Sequence, residues 1–176
     1  MAGQRLTEKT ALAANLASAD LLMCVDTSDT TSSPQGTSKK VLNKYVIQTD
    51  IVDMAASDFH TLATTPVTLV AVPGAGFATI PISCIVYVDY GSTGTSAKLN
   101  VYVGHTGTGT YFWGSKSAFM QSITTDTANV MGIGNSVSAI SSLDNLAVKI
   151  HASGNFHGSV DWTAKVYITY QIIKLW

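Results

Sequence analysis

Between Trp162 and Ile172 every second residue is apolar: Trp162, Ala164, Val166, Ile168, Tyr170 and Ile172. The residues between them are mostly polar (Thr163, Lys165, Thr169 and Gln171), with Tyr167 the exception. Successive side chains of a strand point to opposite faces, so this pattern requires a strand with one buried face. A helix fails here, because a 3.6-residue period would put Thr163 and Thr169 on the same face as Trp162, Val166 and Tyr170. β-branched and aromatic residues dominate, as a pleated surface favours. Fully extended, Val160–Trp176 would span roughly 55 Å, longer than an ordinary strand. A bend or an exit from the sheet is therefore expected near Ile173. Such a strand needs partners along its edges and a second layer over its apolar face.

The upstream sequence supplies those partners. Pro66–Val72 reads as a strand ended by Pro73-Gly74-Ala75-Gly76, a strong turn signal. Ile80–Tyr90 reads as a second strand. Cys84, Val86, Val88 and Tyr90 share one face, and Ser83, Ile85, Tyr87 and Asp89 the other. Apolar residues on both faces place it centrally in a sheet or at a subunit contact. Leu99, Val101 and Val103 alternate with Asn100 and Tyr102 in a third strand. Tyr111–Trp113 and Phe119–Thr124 read as shorter strands, and Ser136–Asn145 as a loop or short helix. Leu146, Val148 and Ile150 alternate with Ala147, Lys149 and His151, and Ala152–Ser159 is a Gly/Asn turn into the last strand. Short strands joined by Gly, Thr and Ser loops predict an all-β fold. The expected form is an antiparallel, jelly-roll-like β-sandwich over residues 61–176.

Residues 1–48 have a different character. Leu6–Leu16 carries the weak stripe of a short helix. Asp20–Asp26 reads as a strand buried on both sides, Thr27–Ser38 as a loop, and Lys39–Ile47 as another short strand or turn. Large apolar residues are too few there for an independent core, so this segment is expected to be an extended arm with little helix, packed on another copy or another protein. Residues 49–60 read as a bridge, with Thr49 or Asp50 capping one or two helical turns over Ile51, Val52, Met54 and Ala55.

Composition excludes several functions. Charged residues make up only 12% of the 176 and the formal net charge is −1, with no basic cluster beyond Lys39-Lys40, so no nucleic-acid partner is expected. The 46% hydrophobic content argues against disorder. No segment has the roughly 18 apolar residues of a membrane span, and Met1–Asn15 lacks the apolar core of a signal peptide. Synthesis in the cytoplasm and no membrane partner are expected. Cys24 and Cys84 read as buried free thiols.

No catalytic constellation emerges, and neither a cofactor nor a metal is expected. His60 and His105 lie in polar segments. His151 and His157 flank one turn with Asp161 as the sole third ligand, which falls short of a transition-metal set and reads as a solvated turn. Gly109–Ser117 approaches a phosphate-binding loop, but Ser115 separates Gly114 from Lys116, and Tyr111, Phe112 and Trp113 fill the place of a cradle. Asp26 with Asp29, and Asp50, Asp53 and Asp58, form no calcium loop, since the only glutamate is Glu8. No G-x-S-x-G elbow occurs. The chain is not expected to be an enzyme.

Six stretches nonetheless resemble segments of known proteins. Thr65–Gly76, Ile80–Ser83 and Val88–Gly91 resemble a β-domain of tailed-bacteriophage virion structural proteins, and Asn155–Ile172 is similar to that domain's end. Ala19–Thr31 with Gly36–Lys40 resembles an attachment segment near the start of phage fibre and decoration proteins. The resemblance implies a virion location, on the capsid surface. It implies an arm over residues 1–48 docked on the major capsid protein or another virion protein, and a homotrimer through the β-domain. The low-charge, Thr/Gly-rich domain agrees, and closed cyclic symmetry is the usual outcome for such copies. The other role implied is a head or tail fibre whose tips, Gly91–Ser96 and Gly104–Thr110, contact host glycans with Tyr111 and Trp113 as stacking platforms. Trp176 is expected to be buried against another subunit or the arm.

Overall fold

The computed structural model describes residues 21–26, 37–42, 46–93, 99–105, 112–119, 124–133, 143–156 and 158–175. The chain divides into two units, residues 1–44 and 45–176. In the first, β1 (Leu21–Asp26) and β2 (Thr37–Leu42) pair antiparallel from Leu21↔Leu42 to Asp26↔Thr37. The strand expected at Asp20–Asp26 forms over Leu21–Asp26, and Lys39–Leu42 of the expected strand or turn at Lys39–Ile47 belong to β2, which begins at Thr37, so Thr37 and Ser38 are paired in a strand and not in the expected loop Thr27–Ser38. The helix expected at Leu6–Leu16, the burial of Cys24 and the loop between the strands lie outside the described residues.

The second unit is an antiparallel β-sandwich. Its strands are β3 (Ile47–Met54), β4 (Val67–Val70), β5 (Phe77–Asp89), β6 (Leu99–Gly104), β7 (Phe112–Phe119), β8 (Thr127–Ile133), β9 (Val148–Ala152) and β10 (Thr163–Lys174). The hydrogen-bonded order is β3-β10-β5-β8-β7-β6-β9-β4. It folds into two four-stranded layers, β3-β10-β5-β8 and β4-β9-β6-β7. Among the described residues they join at two registered pairs, Gly114↔Ile133 and Ser115↔Gly132. Along the chain only the β6–β7 connection stays within one layer, so the polypeptide winds around its own core.

β10 confirms the alternation that demanded it. Trp162, Ala164, Val166, Ile168, Tyr170 and Ile172 are all buried. The strand pairs with β3 on one edge and β5 on the other, so that Val166 lies between Val52 and Val86. Valines and isoleucines of β6 and β9 cover it from the other layer (Val101, Val103, Val148 and Ile150). The expected exit near Ile173 does not occur, because pairing continues to Lys174↔Phe77. The irregularity comes earlier: Thr169 pairs with Ser83 and Tyr170 with Pro81, leaving Ile82 as the extra residue of a β-bulge. Pro81 has no N–H to give a ladder, and the bulge accommodates it inside a central strand.

The bridge expected at 49–60 belongs to the domain itself. Residues 47–54 form β3, registered with β10 over eight pairs. Val52 and Met54 alternate inward there, and this edge pairing outcompetes a helix capped at Thr49 or Asp50. The helix begins later, as α1 (Ala56–Thr61), where the Asp58 carboxylate accepts a hydrogen bond from the Ala55 amide at 2.8 Å. Phe59 and Leu62 enter the core fully buried. Phe59 meets Phe156 edge-on at 5.7 Å and Trp162 at 6.0 Å. Phe156 contacts Trp162 at 5.8 Å and Phe119 at 6.2 Å. These four rings plug one end of the sandwich in the tilted geometries that aromatic pairs prefer. His60 Nε2 lies 2.8 Å from the Val160 carbonyl, and the Asn155 side chain accepts from the Ala63 amide. α1 is thereby tied to the turn that precedes β10.

Smaller differences have local causes. Of the residues expected as shorter strands at 111–113 and 119–124, 112–113 and 119 belong to one strand, β7, while 111 and 120–123 lie outside the described residues. β8 had no sequence signal because its polarity is reversed at the centre: Asn129 is buried and Val130 is exposed. The Pro73–Gly76 turn forms as expected, with Gly74 at φ 102° and Gly76 at φ 79°, a region that favours glycine. Its amides donate to the side chains of Asn145 and Asp144, which closes the opposite end of the sandwich.

Trp162 is the largest fully buried side chain among the described residues. Trp162→Ala is expected to cost about 3–5 kcal/mol through lost burial and a residual cavity, measured as a lowered urea midpoint. Exposed Thr163→Ala on the same strand should shift it by less than about 1 kcal/mol.

Candidate interaction surface

The face of β3-β10-β5-β8 turned away from the core is apolar along its middle. Register places Ile51 opposite Tyr167, Tyr167 opposite Ile85, and Ile85 opposite Val130, in one row across all four strands. Tyr87 flanks the row, Ile47 lies beyond Thr49 on β3, and the bulge at Ile82 turns a further isoleucine outward. Eight large hydrophobic residues are exposed among the described residues, and seven of them lie on this face; the eighth is Val72. Exposure reaches 66% at Val130 and 63% at Ile47. β5 lies centrally between β10 and β8, and its second apolar face is this bare one. The expectation that a strand apolar on two sides is central holds for β5, and its second apolar face is the exposed one.

One side of the row is acidic. Asp53, Lys165, Tyr87 and Ala128 form the next row, with Lys165 Nζ 2.6 Å from Asp53 Oδ1. That bond and the Asp53 charge raise the Lys165 pKa, but the pair is exposed and screened, so it adds little stability. Tyr87 donates its hydroxyl to Asp126 at 3.3 Å, and the Asp126 charge raises the phenol pKa. Asp126 also accepts from the Tyr90 amide at 3.0 Å. A groove of about 430 Å³ opens beside these groups, floored by Met54 and Ala164 and rimmed by Asp53, Asp58, Asp89 and Lys165. On the other side the row gives way to Thr49, Thr169 and Ser83, with the two threonine hydroxyls 3.0 Å apart.

The residues examined for chemistry lie apart. His60 serves α1. His105 is buried, with Nε2 2.8 Å from the Thr79 carbonyl of the opposite layer. His151 is buried rather than solvated, because its ring stacks on Tyr102 at 5.0 Å and its Nε2 has no partner. His157 lies outside the described residues, as do Tyr111, the tips beyond Thr93 and His105, and Trp176. The side chains of Phe112 and Trp113 are likewise not described. Cys84 is buried and free, and burial pushes its thiol up to about 12. Among the described residues no three His, Cys, Asp or Glu side chains gather as metal ligands, and no helix is long and apolar enough to cross a membrane. Asp50 accepts from the buried Tyr170 hydroxyl at 2.9 Å, which leaves it a structural role.

Asp161 also has a structural task. Its carboxylate accepts from the Ser92 amide at 2.8 Å, the Ser92 hydroxyl at 2.8 Å and the Thr93 amide at 3.1 Å. The neighbouring Trp162 indole donates to the Thr93 carbonyl at 2.8 Å. Two consecutive residues at the head of β10 thus fix the base of the β5–β6 loop. The hydrogen bonds, led by the Ser92 hydroxyl, hold the Asp161 carboxyl below its usual range. A Cβ on Gly91 would collide with that carboxylate.

Two predictions follow from these groups. Burial lowers the pKa of both His105 and His151 from the free value of 6.5. The unfolded chain therefore binds protons first, and their contribution is complete above pH 6.5 and declines as pH falls below it. Urea midpoints should drop from pH 7 toward pH 5, and His151→Phe should flatten that slope if it keeps the Tyr102 stack. Gly91→Ala and Asp161→Asn should each free the loop base, read as faster amide exchange at Ser92 and Thr93 with Val166 unchanged.

No protein-family model matches the chain, and no curated protein matches it. Among solved structures, the chain is similar to one described as "Cyanophage Pam1 capsid asymmetric unit", at 14% identity and a TM-score of 0.43, over 97% of this chain and 98% of that one.

Proposed function

We propose that this chain is a structural virion protein of a tailed bacteriophage. It docks on the major capsid protein or another virion protein through residues 1–48. Its β-domain, wound as a jelly roll, assembles as a homotrimer that stabilises or decorates the shell. The observation that carries this reading is the bare apolar face of β3-β10-β5-β8 on a domain otherwise poor in charge. A surface of that kind is built to be covered. The resemblance of Thr65–Gly76, Ile80–Ser83, Val88–Gly91 and Asn155–Ile172, and of Ala19–Thr31 with Gly36–Lys40, to phage virion segments supplies the setting. The action is mechanical: a protein bound to the assembled shell and not to its dissociated parts stabilises the shell by linkage. No enzymatic step forms part of the proposal.

A receptor-binding head or tail fibre is the second reading. The Asp161 clamp favours it, since a loop held rigid at its base presents its tip at reduced entropic cost.

Removing residues 1–44 leaves β3 and the whole sandwich core intact. The truncated protein is expected to remain a folded oligomer yet fail to co-sediment with shells lacking the protein, whereas the full chain saturates them. Full decoration by the truncated protein would refute the arm. Glycan-array binding together with a few copies per particle would favour the fibre.

A further inference from the structure

We infer that the outer face of β3-β10-β5-β8 is where copies of this chain meet, with the Ile51–Tyr167–Ile85–Val130 row of one copy packed against the same row of another. This deepens the oligomer proposed above and rests on it. The first argument is area. The seven exposed side chains leave on the order of 600 Å² of apolar surface bare, at the upper limit for a monomer. That is close to the roughly 800 Å² each partner buries in a stable interface.

The second argument is the place of a matching surface. Away from this face, Val72 is the one large hydrophobic residue exposed among the described residues. Among the described residues, then, row packed on row is the arrangement that buries apolar surface against apolar surface. Three faces turned toward a common axis satisfy this, as do two faces opposed.

The third argument is charge. Asp53, Asp89 and Asp126 all lie on one side of the row, and Thr49, Thr169 and Ser83 on the other. The row itself carries no charge, so burying it strands no ion. The flanking Asp53 and Lys165 already pair within one copy and stay at the rim, where an ion pair costs little.

The test uses the full chain and its Ile51→Lys/Val130→Lys variant. Both positions are on the outer face, at 55% and 66% exposure, so the domain tolerates the change. An unchanged urea midpoint at a protein concentration where both proteins are monomeric confirms this. Light scattering across a dilution series should show the wild type as an oligomer and the variant dissociating at least roughly tenfold more readily, because association would now bury unpaired ammonium groups. Val72→Lys should leave assembly unchanged. A wild type that stays monomeric at high concentration, or a variant that assembles as well as the wild type, overturns the inference. Co-sedimentation with shells separates the two readings. A monomeric wild type that still saturates shells, with binding lost in the lysine variant, assigns the face to the shell: the inference fails and the virion role stands. An oligomer broken by the lysines but with no affinity for shells keeps the inference and removes the virion role.

Discussion

β10 is hydrogen-bonded along both edges, and the domain is built outward from that insertion. β3 opens the domain and β5 is its third strand, so the layer that holds them cannot close until the end of the chain arrives between them. Burial and pairing act on the same residues. Val166 lies beside Val52 and Val86 in the ladder while its side chain faces the other layer. The contacts are distant in sequence, which makes closure entropy the main cost of folding and slows the search for the native pairing.

How far the sequence discloses this depends on whether local pattern and tertiary role agree. In β10 and β5 the inward faces alternate cleanly, and both strands are legible. β3 is not legible by itself. Gln48 and Asp50 occupy inward parity, and only Val52 and Met54 are apolar there. Asp50 is tolerated because the Tyr170 hydroxyl donates to it, a partner 120 residues away that no local window contains. β8 is harder still, since its buried Asn129 and exposed Val130 invert the usual code. α1 lies where a helix was expected in kind but not in place, because edge pairing claimed the residues before it. The aromatic plug was hidden for another reason. Phe59, Phe119, Phe156 and Trp162 come from four separate segments, and only Trp162 belonged to a visible periodicity.

The candidate site follows the same logic. Histidines and carboxylates are the side chains that chemistry would draw on, and most of those described hold the fold together. Asp161 fixes a loop, Asp58 caps α1, His60 ties that helix to β10, and His105 links the layers. The surface that stands out is made of residues that sequence reading assigns to cores. Its traces were Tyr167, out of pattern in the last strand, and the second apolar face of β5. Ile51 and Val130 complete the row only after β3 and β8 have taken their places, so its extent is a property of the register and not of any one segment.

The proline in the bulge bears on that register. A strand slipped by one residue turns its whole side-chain set over, and burial normally forbids this because polar groups would enter the core. β5 is weakly protected in that way: Ile85 and Tyr87 would be acceptable inside, and Val86 and Val88 would not be conspicuous outside. Pro81 supplies the missing discrimination. It can lie only where the ladder asks for no donor, and the extra residue Ile82 creates one such place against Tyr170. A slip that brought Pro81 to a position where the ladder needs a donor would leave a carbonyl without its bond. A single imino acid thus acts as an alignment pin for the two longest strands, and the same kink turns Ile82 out to widen the surface.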